Sequence, residues 1–189
     1  MRIPQSTRRP LPVLRALVLA LAVVGASSLT AAAATPSSAP SFVTGYGFCA
    51  DAEERAFLRL VNNYRAQYGR APLRLTRTLG AAADHHSIDM ANKNYFSHTL
   101  AGGITWSQNM SNHGYTYSTA RAENIAAGYS TAQQTFNQWK NSAGHNANML
   151  SANFGAIGIG RAYGASSTYK WYWTATFGGY RDAAVTCSA

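Results

Sequence analysis

The sequence predicts an α+β fold in which a small antiparallel sheet is covered by helices. Helical periodicities occupy most of residues 51–141, and two strand-like runs close the chain. A Gly/Ser loop over residues 164–168 separates those runs as in an antiparallel hairpin. No internal repeat is visible.

Asp51 with Glu54 three residues on is a capping-box pattern, and Phe57, Val61, Tyr64 and Tyr68 then recur at helical spacing up to Gly69. This aromatic stripe reads as a face packed on the sheet. Residues 72–75 form a short extended linker. A second helix from about residue 78 to 92 sets Leu79, Ala82, Ala83, His86 and Met90 on one face. His85 and His86 look like a metal signature, but helix neighbours point about 100° apart, so both do not readily bind one ion. One partly buried histidine and one at the surface are expected. The chain then turns irregular through Tyr95, Phe96, Ser97, His98 and the Gly102–Gly103 pair, before a third helix from Trp106 to Asn112.

Residues 123–128 read as a buried loop or short strand. Ser130 is expected to cap a fourth helix over residues 131–141, with Phe136 and Trp139 inward. Residues 146–150 form a helical turn that fixes His145. In the hairpin, strands over 156–160 and 170–177 alternate so that Trp171, Trp173, Ala175 and Phe177 share one face. Tyr172, Thr174 and Thr176 take the other.

Residues 1–34 have the form of a secretory signal peptide: arginines at 2, 8, 9 and 15, an apolar run, then small residues. The run is too short for a transmembrane span, which takes about 20 apolar residues. Arg8-Arg9 leaves the export route open between the general and twin-arginine pathways. Residues 35–48 are a Pro/Ser-rich leader, and 49–189 suit one compact domain. Four of the sixteen basic residues leave with the signal, so twelve face seven acids, a net +5. That surplus favours anionic surfaces such as wall polymers or lipid head groups, while scattered basic residues argue against nucleic acid. A secreted monomer without a membrane span is expected. Cys49 and Cys187 stand at the two ends of the domain. A disulfide between them would contribute at most ~4–5 kcal/mol on the chain-entropy model; two free thiols are the alternative.

Glu123 is the lone acid between Asp89 and Asp182, and it stands among Asn, Ile and Ala. With His98 and His145 it supplies two imidazoles and a carboxylate, a set that zinc accepts with water as the fourth partner. Such a water can become a nucleophile. Ser142, His145 and Glu123 also compose a candidate nucleophile, base and orienting acid. A structural alternative is a buried hydrogen-bonded network that positions loops, because a buried carboxylate needs partners. No H-E-x-x-H pair and no G-x-S-x-G elbow is present.

An ordered series of short motifs runs through the chain. It comprises Asn62-x-x-Arg65, Pro72-Leu73, Asp89-x-Ala91, Tyr95-x-x-His98, Gly114-Tyr115 and Glu123-x-x-Ala126, then Trp139-x-x-Ser142, Gly144-His145-x-x-Asn148, Gly158-x-Gly160 and Trp173 with Phe177-Gly178. Each motif is weak alone. Their order resembles the CAP superfamily (cysteine-rich secretory, antigen 5 and pathogenesis-related 1 proteins, the SCP domain) in its compact bacterial form. The resemblance covers nearly everything from Cys49 onward. It implies a three-layer α-β-α sandwich with a central cavity that binds zinc or another divalent ion through two histidines and two glutamates. By motif, His98 and His145 match the histidines and Glu123 one glutamate. Ser142 stands where relatives keep the second, so the tetrad is incomplete. Relatives linked to sterol and lipid binding and to defence imply an extracellular binding or effector module for a lipid, wall component or protein. A metal-dependent or Ser142-based hydrolase is the other expectation.

Overall fold

The computed structural model describes residues 48–185 and 187. The expected signal peptide and all but the last residue of the leader lie outside them. In order, the elements are α1 (Ala52–Gln67), β1 (Arg74–Leu75), α2 (Arg77–Lys93), α3 (Trp106–Asn112), β2 (Arg121–Ala127), α4 (Ala132–Lys140), α5 (Ala143–Leu150), β3 (Ala156–Tyr163) and β4 (Trp171–Gly178). The sheet runs β1-β3-β4-β2, with β4 antiparallel to both β3 and β2. Layered between helices, it is the α+β sandwich expected.

One strand makes the sheet mixed where a purely antiparallel one was expected: β1 pairs parallel to β3. The reason is local. Asn62 on α1 clamps both backbone groups of Leu73, at 2.8 and 3.0 Å, and Arg74 N–H donates to the Gly155 carbonyl. An extended linker held in that way becomes a strand.

Side-chain alternation assigns the two faces. Trp173, Ala175 and Phe177 of β4 join Ile157 and Ile159 of β3 in a core with Phe57, Val61 and Tyr64 of α1, Phe136 and Trp139 of α4, and Met149 of α5. The α1 stripe packs there except for Tyr68, which is exposed. On the opposite face α2 lies almost on the backbone. A Cβ at Gly158 or Gly160 would overlap the main chain of Leu79 or of Asp84, so only glycine admits the helix so closely. Ser87 and Thr176 hydrogen-bond across that contact, to the Gly160 and Leu79 carbonyls.

Helix ends follow the expected chemistry with one correction. Asp51 caps α1 in a complete capping box with Glu54, and Thr105 does the same for α3 with Gln108. The cap of α4 is Thr131, not Ser130: the Thr131 hydroxyl accepts from Gln134 N–H, while the Ser130 carbonyl accepts from Arg161. Cys49 and Cys187 form a disulfide across 138 positions, with Cα atoms 5.5 Å apart.

Candidate functional site

Glu123 lies on β2, an edge strand, opposite Thr176 of β4. Alternation therefore turns its carboxylate toward α2, and it is 6% exposed. Both oxygens are taken there. Oε2 meets Nδ1 of His86 at 2.7 Å and Oε1 meets Nδ1 of His98 at 2.8 Å.

His86 is fully buried on α2, while its neighbour His85 is exposed and turns toward α3. The second ring nitrogen of His86, Nε2, faces the Ser97 carbonyl at 3.0 Å. A carbonyl only accepts, so Nε2 carries a hydrogen. One further proton is shared between Nδ1 and Glu123. The pair is then either imidazolium with carboxylate or imidazole with carboxylic acid, and it is neutral overall in both forms.

His98 differs in having an open side. Its side chain is 51% exposed, Nδ1 is anchored on Glu123, and Nε2 is left as the outward atom. The loop that carries it is pinned by Asp89, which accepts from Tyr95 hydroxyl at 2.5 Å and Ala101 N–H at 3.1 Å. Burial opposes the Asp89 charge, yet Lys93, Tyr95 and Ala101 together hold its carboxyl below the ordinary value.

Asn124, the next residue on β2, turns to the other face. It donates to the His145 carbonyl at 3.0 Å and accepts from Asn148 at 2.8 Å, so it locks α5 to the edge of the sheet. The expected helical turn at 146–150 is thus part of α5, which begins earlier. His145 leans on Trp139, with ring centres 5.9 Å apart, and its Nδ1 is buried without a partner among the described residues. Burial first, and the charge of His98 second, hold its imidazole below the ordinary value. The two rings are near enough to repel when charged.

Of the expected constellation, His98 and Glu123 are hydrogen-bonded, His145 is a neighbour held on the opposite face of the strand, and Ser142 precedes α5 as its N-cap. No hydrogen bond joins Glu123 or Ser142 to the His145 ring among the described residues. For a divalent ion, the donors as arranged are two imidazoles and a carboxylate already committed to two rings. Among the described residues no three His, Cys, Asp or Glu side chains converge as a metal cage. The set does not fit a closed zinc centre without Glu123 giving up a hydrogen bond.

His86 is the member that sequence reasoning placed on a core face without giving it a partner. The signal was there: a histidine on an apolar helical face must be hydrogen-bonded, and Glu123, the lone acid between Asp89 and Asp182, was a carboxylate in need of a partner.

Comparison with known proteins adds relatives. The model of the CAP family, described as the cysteine-rich secretory protein family, matches residues 58–177. The chain is 38% identical over 126 residues to the uncharacterized protein YkwD of Bacillus subtilis, covering 67% of this chain and 46% of YkwD. An extracellular protein of Bacillus anthracis containing an SCP domain is 28% identical with a TM-score of 0.59, over 69% of this chain and 40% of that one. An outer surface protein of Borrelia burgdorferi shares the fold at 19% identity and a TM-score of 0.61, over 68% of this chain and 93% of that one. The chain spans less than half the length of YkwD.

Proposed function

The chain belongs to the CAP family of cysteine-rich secretory proteins, and from that premise we propose that it is an exported binding module whose ligand is a polyanionic wall polymer. The observation that carries this reading is one-sided surface charge. All seven acidic residues are buried or half-buried, whereas nine of the twelve basic residues in the described region are exposed. Six of the seven have a partner; Asp51 pairs with Arg161 at 2.7 Å, Glu53 accepts from Ala132 N–H at 2.7 Å, and Asp182 accepts from the Thr78 hydroxyl. A surface of one sign attracts and retains polyanions.

Four of the nine exposed basic residues lie beside β1, at the edge of the sheet away from Glu123. Arg70, Arg74 and Arg77 fall within eight residues, and Arg181 reaches back to the Gly155 and Pro72 carbonyls beside them. The exposed large side chains close by in sequence are Tyr68 and Tyr180. They suit stacking at a wet surface more than insertion below lipid head groups, which supports a polymer over a bilayer.

Retention of the purified protein on an anionic wall polymer, followed against salt, tests this. Binding should weaken steeply with ionic strength, and Arg70→Gln/Arg74→Gln/Arg77→Gln should weaken it roughly tenfold or more. Salt-independent binding, or equal retention on anionic lipid vesicles, sinks the reading.

A second reading, a hydrolase, has the orientation of His98 in its favour, since a carboxylate holding Nδ1 leaves Nε2 poised as a base or ligand. Calorimetric zinc titration decides the metal branch: uptake unchanged in His98→Ala/His145→Ala removes it. Hydrolysis that survives Ser142→Ala removes the serine branch.

A further inference from the structure

A pair of histidines on the other side of α2 takes no part in the Glu123 site. His85 on α2 and His113, the C-cap of α3, approach with ring centres 5.0 Å apart and planes tilted by 41°. Both are anchored on one residue. The Asn109 side chain is buried, and its amide donates to the Ala82 carbonyl at 2.8 Å, so its Oδ1 is the atom facing His85 Nδ1 at 2.8 Å. The Asn109 main-chain carbonyl faces His113 Nδ1, also at 2.8 Å.

Two acceptors on Asn109 dictate both tautomers. Each Nδ1 must donate its hydrogen, so each neutral ring keeps its bare lone pair on Nε2. Neither Nε2 has a hydrogen-bond partner among the described residues, and His85 is exposed. A ring whose Nδ1–H is fixed on an oxygen while Nε2 stands open is the arrangement of metal-ligating histidines. The spacing agrees. Two imidazoles bound through Nε2 at about 2.0–2.1 Å, with an angle between right and tetrahedral, have centres about 4.5–5.3 Å apart.

We propose that His85 and His113 form a surface site for a divalent transition ion, held by two Nε2 atoms with its remaining positions open to water or an external ligand. Two imidazoles without thiolate or carboxylate select by the intrinsic order of affinity, so copper(II) should bind most tightly, ahead of nickel and zinc. The site is separate from the Glu123 centre: His85 and His86 leave α2 in different directions, one to Asn109 and the other to Glu123. That divergence also sets the adjacent histidines apart as ligands for one ion.

Copper(II) titration of the purified protein with electron paramagnetic resonance detection tests the assignment. One ion should bind with a two-nitrogen equatorial signature. His85→Ala and His113→Ala should each remove one nitrogen and weaken binding at least about tenfold, and His98→Ala/His145→Ala should leave both signal and affinity in place. Because His85 is exposed, its variant keeps the fold, which circular dichroism verifies. An unchanged signal in the His85→Ala/His113→Ala double variant overturns the proposal. So does a signal lost only with His98 and His145, or absence of a two-nitrogen species at saturating copper.

Discussion

Among the described residues, Arg65 is a buried cation without a carboxylate beside it. It is 1% exposed and donates to the carbonyls of Ala71, Met149, Ser151 and Phe154. One guanidinium thus ties the end of α1 to the end of α5 and to the approach to β3, and so fixes the helix that carries His145. Arg65→Leu strands four carbonyls and should cost about 3 kcal/mol or more in urea unfolding; a loss below about 1 kcal/mol would refute this role. Such residues were legible only as a motif. Asn62-x-x-Arg65 stands out in the sequence, but its partners lie up to 89 residues away. Glu123 was legible as an oddity because acids are scarce, whereas its bond to His86 depends on how α2 crosses the sheet. Periodicity says which face a side chain takes and not what it meets there.

At the level of elements, long periodic segments and the hairpin could be read directly, because alternation and helical spacing are local. β1 could not. Two residues carry no period, and only the Asn62 clamp and the neighbouring β3 make them a strand. The contact of α2 with β3 was visible as Gly158-x-Gly160, though its meaning needed the helix in place. Gly158→Ala keeps the strand but drives a methyl into the Leu79 backbone. It should lower stability by about 1–3 kcal/mol, read by chemical denaturation, and Gly144→Ala, with open space around it, serves as the mild comparison.

For the whole molecule, buried acids set the response to pH. Burial, then the charge of Asp51, pushes Glu54 up to about 8, and burial lifts Asp84 to about 6. Groups raised in this way stabilise fully below their ordinary values of 4.5 and 3.8 and lose that contribution as pH climbs through the folded values. Asp89, held low, has the opposite sign, and its contribution disappears as pH falls below the ordinary 3.8. Burial holds His113 and His145 below 6.5, so what they contribute is complete above it. Between about pH 7 and 9 only Glu54 among these groups is still changing. The melting temperature should therefore drop across that interval, and Glu54→Gln should flatten the drop; an unaltered slope in the variant would refute the assignment.

The bond between Cys49 and Cys187 also gives the domain the connectivity of a closed hoop. A protease that cuts the exposed turn around Ala165 and Ser166, between β3 and β4, opens the hoop at one point and releases nothing. Two cuts are needed to shed a fragment while the disulfide is intact. After a single cut both halves stay covalently attached, and the helices that frame Glu123 remain tethered to the sheet that carries it.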